Sequence, residues 1–229
     1  MSTPPQNTNS APTPRPLSTP RAAALAGIAF AVLFGTTLIV IRIKMPAGLE
    51  DSTQWLKSQQ SAITTATVLM PFAGICFLWF IGVVRDGFGR YEDRFFLSIF
   101  IGSGLLFLAM MFVATAVAAG LVASNTDVTN PAARAEVINF GRHVLVSASQ
   151  TYALRMAAVF MISLATIWFK TRLMPRWLAI LSYLVALTLL IVSEMSKWAE
   201  LVFPAWVLVV SCLILTRSGL TERQRTQHD

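Results

Sequence analysis

The chain has 229 residues, of which 55% are hydrophobic and only 13% are charged, and its formal net charge is +7. Soluble domains are about 45–50% apolar and about 25% charged, and here the apolar excess is gathered into several long runs. This composition excludes an ordinary soluble domain and predicts that the protein's solvent is a lipid bilayer. The cations lie in short clusters between the apolar runs, which is typical of membrane topology signals and disfavours nucleic-acid binding.

Both ends of the chain are polar. Residues 1–21 hold six of the eleven prolines among Ser, Thr, Asn and Gln, which predicts a disordered tail. Residues 217–229 are predicted to form a second polar tail, and residues 22–216 a membrane domain. Cys76 and Cys212 fall inside apolar runs and make no C-x-x-C pair, so they are predicted to be small buried hydrophobes.

Six apolar segments predict an all-α bundle with six transmembrane helices. The first ends directly in Arg42 and Lys44 without a small-residue cleavage site, so it is predicted to be a retained anchor and not a secretory signal. Residues 45–61 are predicted to connect it to the second helix. The predicted helices are Ala22–Ile41, Ala62–Val84, Phe95–Ala123, Pro131–Lys170, Trp177–Ser196 and Ala199–Thr216.

The third predicted helix carries small residues at a seven-residue spacing. Gly102, Ala109 and Ala116 recur in this way, and Gly120 follows four residues later. Small residues on one face allow two membrane helices to approach closely. The pattern predicts a helix-packing seam.

The fourth predicted helix is the most informative part of the chain. Asn130-Pro131 is typical of a helix cap followed by proline in the first turn. At 100° per residue, the upper half is amphipathic, with a polar arc that faces water, headgroups or other polar groups. Two interpretations remain open, a solvated extension above the bilayer and the lining of a binding cleft. The polar arc contains Asn139, Arg142, His143, Ser147, Gln150, Thr151 and Arg155; the apolar arc contains Ile138, Leu145, Ala148, Tyr152, Met156 and Val159.

Arg155 lies inside an apolar run, where an ionisable side chain needs a partner. It is about 22 Å along the helix from Lys170 at 1.5 Å per residue, which places it in the outer leaflet. Glu194 lies at a similar depth on the fifth helix, so it is the predicted ion-pair partner, with Glu200 as the alternative. The pair is predicted either to lock the helices together or to bind a substrate anion or proton. The candidate cluster is Arg155, Glu194, Glu200, His143, Ser147 and Thr151.

The distribution of Lys and Arg predicts the orientation. Alternate connections and tails carry eleven cations on one side and six on the other, apart from Arg155. Under the positive-inside rule both termini are therefore predicted to be cytoplasmic.

The sequence patterns of enzymes are mostly missing. His143 and His228 are the only histidines, too few for a two-histidine haem across the bundle or a multi-histidine zinc site. The segment "IGSG" (Ile101–Gly104) is superficially similar to the serine motif of rhomboid proteases, but none of the predicted helices 1, 2, 5 and 6 contains the histidine base that this motif requires. Neither a catalytic residue, a metal site nor a cofactor is predicted.

Three segments, "EDRFFLSIFIGSGLLFLAMMFVA" (Glu92–Ala114), "MPRWLAILSYLVAL" (Met174–Leu187) and "ELVFPAWVLVVSCLIL" (Glu200–Leu215), resemble bacterial, especially actinobacterial, integral membrane proteins without an assigned activity. The resemblance covers about the C-terminal two-thirds and implies a multi-pass protein of the bacterial cell membrane, with no transferable catalytic residue. The first functional hypothesis is a non-enzymatic scaffold or accessory component that packs with a second copy or with another membrane protein. The alternative is a small-solute or ion transporter that uses Arg155, Glu194 and Glu200.

Overall fold

The computed structural model describes residues 19–43, 52–87, 94–124, 130–172, 174–192 and 198–225. These ranges form seven α-helices and one π-helical segment that joins α4 to α5. In chain order they are α1 (Thr19–Ile43), α2 (Ser52–Gly87), α3 (Arg94–Ser124), α4 (Pro131–Val146), the π segment (Ser147–Ala153), α5 (Leu154–Thr171), α6 (Arg176–Val192) and α7 (Ala199–Arg225).

Five helical stretches are long and apolar enough to cross a membrane: Arg21–Val40, Ile63–Asp86, Phe95–Ala123, Ala135–Thr171 and Ala199–Arg217. The chain is therefore an all-helical, multi-pass membrane protein, as its composition predicted. The sixth apolar helix, Arg176–Ile191, is shorter than these five. Residues 193–196, the end of the predicted fifth helix, and residue 197 lie outside the described residues.

Several helices are longer than predicted, and two of them extend well beyond their predicted bounds. Helix α2 begins at Ser52, so the segment 45–61 is not simply a connection, and α7 continues past Thr216 to Arg225. The predicted bounds followed apolar runs, which mark the hydrocarbon core and not the helix itself. Polar residues such as Gln, Lys, Arg and Glu have good helix propensity, so both helices continue beyond the apolar part.

The predicted start of the fourth helix is confirmed. Asn130 is the N-cap, and its side-chain oxygen accepts a hydrogen bond from the Ala132 backbone nitrogen at 3.0 Å, with Pro131 in the first turn. The cap satisfies one of the donors that a helix start leaves unpaired. The stretch Ala135–Thr171 has 37 residues, about 55 Å at 1.5 Å per residue. A hydrocarbon core is about 30 Å thick, so the mostly exposed N-terminal part of this stretch extends beyond the apolar layer.

A cluster of phenylalanine rings fills the centre of the bundle. Five helices contribute one ring each to this phenylalanine hub, and each of the five side chains is at most 1% exposed. The Phe77 ring centroid lies 4.6–5.8 Å from the other four centroids, within the range of favourable aromatic pairs. The hub consists of Phe30 of α1, Phe77 of α2, Phe107 of α3, Phe160 of α5 and Phe203 of α7.

The predicted packing seam of α3 is wrong. Ala109 and Ala116 are exposed, and a Cβ added at Gly102 or Gly120 would meet no atom within 4 Å. A different seven-residue row is buried, formed by Phe100, Phe107 and Ala114. Large aromatic side chains occupy the bundle interior because they bury the most apolar area. The row of small residues therefore faces outward.

One close approach of helices involves α1 and α7. A Cβ added at Gly27 would overlap Ser211 Oγ and would lie 2.8 Å from Phe80 Cδ2. Ser211 is fully buried, and its hydroxyl has no hydrogen-bond partner among the residues that the structure describes. The hydroxyl thus occupies the space that a side chain at position 27 would fill.

Two contacts identify helix ends that lie together. Lys170 Nζ of α5 lies 4.5 Å from the centroid of the Phe96 ring of α3. Arg217 Nη1 of α7 lies 3.8 Å from Met174 Sδ, in the connection between α5 and α6. We call this the Lys170 end of the bundle. The opposite end, where α7 begins, is the Glu200 end.

Candidate functional site

The helix that carries the predicted polar arc contains a π-helical segment, Ser147–Ala153. The flanking residues Val146 and Leu154 keep ordinary right-handed helical dihedral angles, so the rod continues through it. A π turn holds one more residue than an α turn and is frequent at functional sites. Every residue C-terminal to the segment is therefore rotated about the helix axis by about 100° from its place in a regular α-helix.

This extra residue changes which side chains face the interior. Up to Ser147, the first residue of the segment, the predicted arcs agree with the structure, since His143 and Ser147 are exposed while Leu145 is buried. Within the segment they do not. Gln150 of the polar arc is 8% exposed, whereas Tyr152 of the apolar arc is 58% exposed. The assumption of a uniform 3.6-residue period therefore fails at the π segment.

The segment brings a buried serine against a buried carboxylate. Ser149 Oγ donates a hydrogen bond of 2.9 Å to Glu200 Oε1, and the two residues are 3% and 5% exposed. Hydrogen bonds to charged groups are stronger than those between neutral groups. This bond joins the π segment to the first turn of α7, where a negative charge is stabilised by the helix dipole.

Arg155 follows two residues after the π segment and is half-buried. Its Nη1 donates to the Thr151 backbone oxygen at 3.3 Å, so the side chain runs back along its own helix toward the Glu200 end. Long cationic side chains commonly extend toward the nearer interface in this way.

The predicted cluster is therefore placed only in part. Arg155 and Thr151 are in contact through the Thr151 carbonyl, and Glu200 is bonded to a residue that the prediction did not include. His143 and Ser147 are exposed on α4 and at the start of the π segment. Glu194 lies outside the described residues, so the ion pair between Arg155 and Glu194 stays a prediction.

Ser149 is the site residue that sequence reasoning missed. At 100° per residue it falls away from the polar arc, although it lies in the polar and small-residue run "SASQT". That run was the only available signal, because small residues tolerate a widened turn and hydroxyl side chains compete for backbone hydrogen bonds.

In the described part of the chain, no three His, Cys, Asp or Glu side chains are grouped so that they could hold a metal ion. What the site offers chemically is a carboxylate that is shielded from water and accepts a hydrogen bond from a buried hydroxyl. No protein family, curated protein or solved structure matches this chain.

Proposed function

We propose that this chain is a non-enzymatic component of a bacterial cell membrane, crossing it six times and acting as a scaffold or accessory subunit. In this proposal it functions by packing with a second copy or with another membrane protein. The observation that carries the proposal is the phenylalanine hub.

The hub argues against a polar route along the bundle axis. At 1.5 Å per residue its rings lie about 13–21 Å along their helices from the Lys170 end, near the middle of a core about 30 Å thick. Transporters commonly place polar groups and broken helices at this depth. Here the same depth is occupied by five fully buried aromatic rings.

The buried hydroxyl groups support the same conclusion. Most of them donate to a carbonyl of their own helix and so offer no free O–H donor to a passing solute. These bonds are Thr37 to Leu33, Ser103 to Ile99, Thr115 to Met111, Ser163 to Val159 and Ser182 to Leu178, at 2.6–2.8 Å.

In this proposal the contact between Ser149 and Glu200 is a structural lock. A buried hydrogen bond between the π segment and α7 ties the C-terminal helix to the longest helical rod. Removing one partner of a buried charged contact is costly, because the other partner is left without compensation. The lock thus favours one packing arrangement at the Glu200 end.

The test is the accessibility of the bundle centre to water. In a chain with Cys76→Ala and Cys212→Ala, single cysteines replace buried Ser103 and Ser163, and Ser147→Cys is the exposed control. A membrane-impermeant maleimide is applied to sealed vesicles of each orientation. Ser103→Cys and Ser163→Cys are expected to react at least about a hundredfold more slowly than the control, because maleimide needs a hydrated thiolate. Reaction of either at the control's rate from one side would overturn the proposal.

A second candidate function is a small-solute or ion transporter that uses Arg155, Glu194 and Glu200. The observation that favours it is a π segment beside a carboxylate within a membrane-spanning region, where ionisable groups are often functional. Ser149→Cys in the same background separates the two candidates. Fast labelling from one side indicates a hydrated cleft that reaches Glu200, whereas no labelling supports the structural lock.

A further inference from the structure

The connection between α5 and α6 concentrates positive charge at the Lys170 end. Lys170, Arg172 and Arg176 lie within seven residues, and all three are exposed. Arg217 of α7 is also exposed and joins them through its contact with Met174. The sequence holds no Asp or Glu between Val137 and Ser193, so α5, α6 and their connection contribute cations and no carboxylate to this end of the bundle. We call these four cations the joint cluster.

The depth of the joint cluster matches a lipid headgroup. The stretches able to cross a membrane end at Thr171 and Arg217, and the shorter apolar helix begins at Arg176. Phe169 and Trp177 flank the cluster and are each 54% exposed. Aromatic side chains of this kind sit at the boundary between hydrocarbon and headgroups. The four cations therefore lie where phosphate groups lie in a bilayer.

The backbone at Arg172 gives a second, independent observation. Arg172 caps α5 in the left-handed conformation, with φ 54° and ψ 21°, and is the one non-glycine residue with positive φ in the described chain. Glycine or asparagine usually occupies this position, because a Cβ disfavours that conformation. Backbone geometry therefore does not favour an arginine here, which supports a role for its side chain.

We infer that the joint cluster binds the headgroup of an anionic phospholipid. Arginine forks pair with phosphate oxygens in bidentate geometry, and Arg172, Arg176 and Arg217 supply three forks. Lys170 is held over the Phe96 ring and adds a fixed positive charge, while Phe169 and Trp177 lie beside the acyl chains. This inference does not depend on the proposed scaffold function, because it concerns the other end of the bundle.

The test measures stabilisation by lipid. The full chain, purified in a neutral detergent, is titrated with phosphatidylglycerol, phosphatidylcholine or glycerol 3-phosphate, and the melting temperature is recorded at each concentration. A ligand that binds the folded state raises this temperature in a saturable way. Phosphatidylglycerol is expected to bind at least about tenfold more tightly than phosphatidylcholine, in line with the contribution of juxtamembrane cations near anionic lipid.

The variants separate charge from backbone strain. Arg172→Gly relieves the left-handed strain, so it is expected to melt at or above the wild-type temperature without lipid while losing most of the response to phosphatidylglycerol. Arg172→Lys keeps the charge and is expected to retain part of the response. Arg176→Gln is expected to lower it, whereas Arg142→Gln, which removes one charge on α4 far from the joint cluster, is expected to leave it unchanged.

Three outcomes would overturn the inference. The first is equal stabilisation by the two lipids. The second is an Arg142→Gln response as weak as that of Arg172→Gly, which would indicate diffuse charge attraction. The third is saturable stabilisation by glycerol 3-phosphate matching that of phosphatidylglycerol, which would indicate a site for free phosphate esters.

Discussion

Replacing Ser211 by alanine is expected to stabilise the protein, although it removes a buried polar group. Its hydroxyl is fully buried beside Gly27 and has no hydrogen-bond partner in the described part of the chain. A buried polar group left without a partner costs about 1–3 kcal/mol in desolvation. In the unfolded membrane state the same hydroxyl is free to donate to its own helix, so the cost falls on the folded state alone.

The expected change in the free energy of unfolding is the desolvation cost that the substitution removes, less the packing contacts that it loses. Ser211→Ala removes one oxygen, whose individual dispersion contacts contribute about 0.1–0.2 kcal/mol each. The net expectation is an increase of about 1–2 kcal/mol in the free energy of unfolding. For a chain of this length the increase corresponds to a rise of about 2–8 °C in melting temperature.

The assay is thermal unfolding of the purified protein in detergent, with Ser163→Ala as the matched control. Ser163 is equally buried, but its hydroxyl donates to the Val159 carbonyl at 2.8 Å. Its removal is expected to change stability by no more than roughly 0.5 kcal/mol, because a hydroxyl bonded within its own helix contributes little to packing. A fall in melting temperature for Ser211→Ala with an unchanged control would refute the reasoning, since it would show that the Ser211 hydroxyl is paired.

Three further changes test other contacts. Gly27→Ala is expected to cost about 1–3 kcal/mol in the same melts, since the added methyl group overlaps the unpaired hydroxyl on α7; an unchanged melting temperature would contradict the close approach. A double-mutant cycle of Ser149→Ala and Glu200→Gln is expected to give a coupling of roughly 0.6–1.7 kcal/mol, and additive effects would argue against the lock. Arg155→Glu is expected to lower membrane abundance and Glu194→Arg to restore it, whereas no rescue by it or by Glu200→Arg would exclude the ion pair.

The helices were predictable because membrane insertion is governed by local sequence. An apolar run long enough to span the bilayer marks a crossing whatever its tertiary context, and the Asn130-Pro131 cap depends on neighbouring residues alone. The helix ends were less predictable. Residues 52–61 of α2 and 217–225 of α7 continue these helices past the apolar runs, where apolarity gives no signal.

The interior of the bundle was predictable only in composition. Small and aromatic residues both recur every seven positions on α3, and only packing against other helices decides which row is buried. The pairing of Ser149 with Glu200 was hidden for a different reason. It depends on a π segment, and a helical wheel with a fixed period assigns side chains within that segment, such as Gln150 and Tyr152, to the wrong face.

The phenylalanine hub also bears on the order in which the protein folds. Its rings come from helices spread along the chain, from Phe30 in α1 to Phe203 in α7, and α1 packs directly against α7. During synthesis the earlier helices therefore insert with an aromatic face that lacks its final covering. Only the arrival of α7 completes that face, so a ribosome that stops before Phe203 releases an incomplete bundle that quality-control proteases are able to recognise.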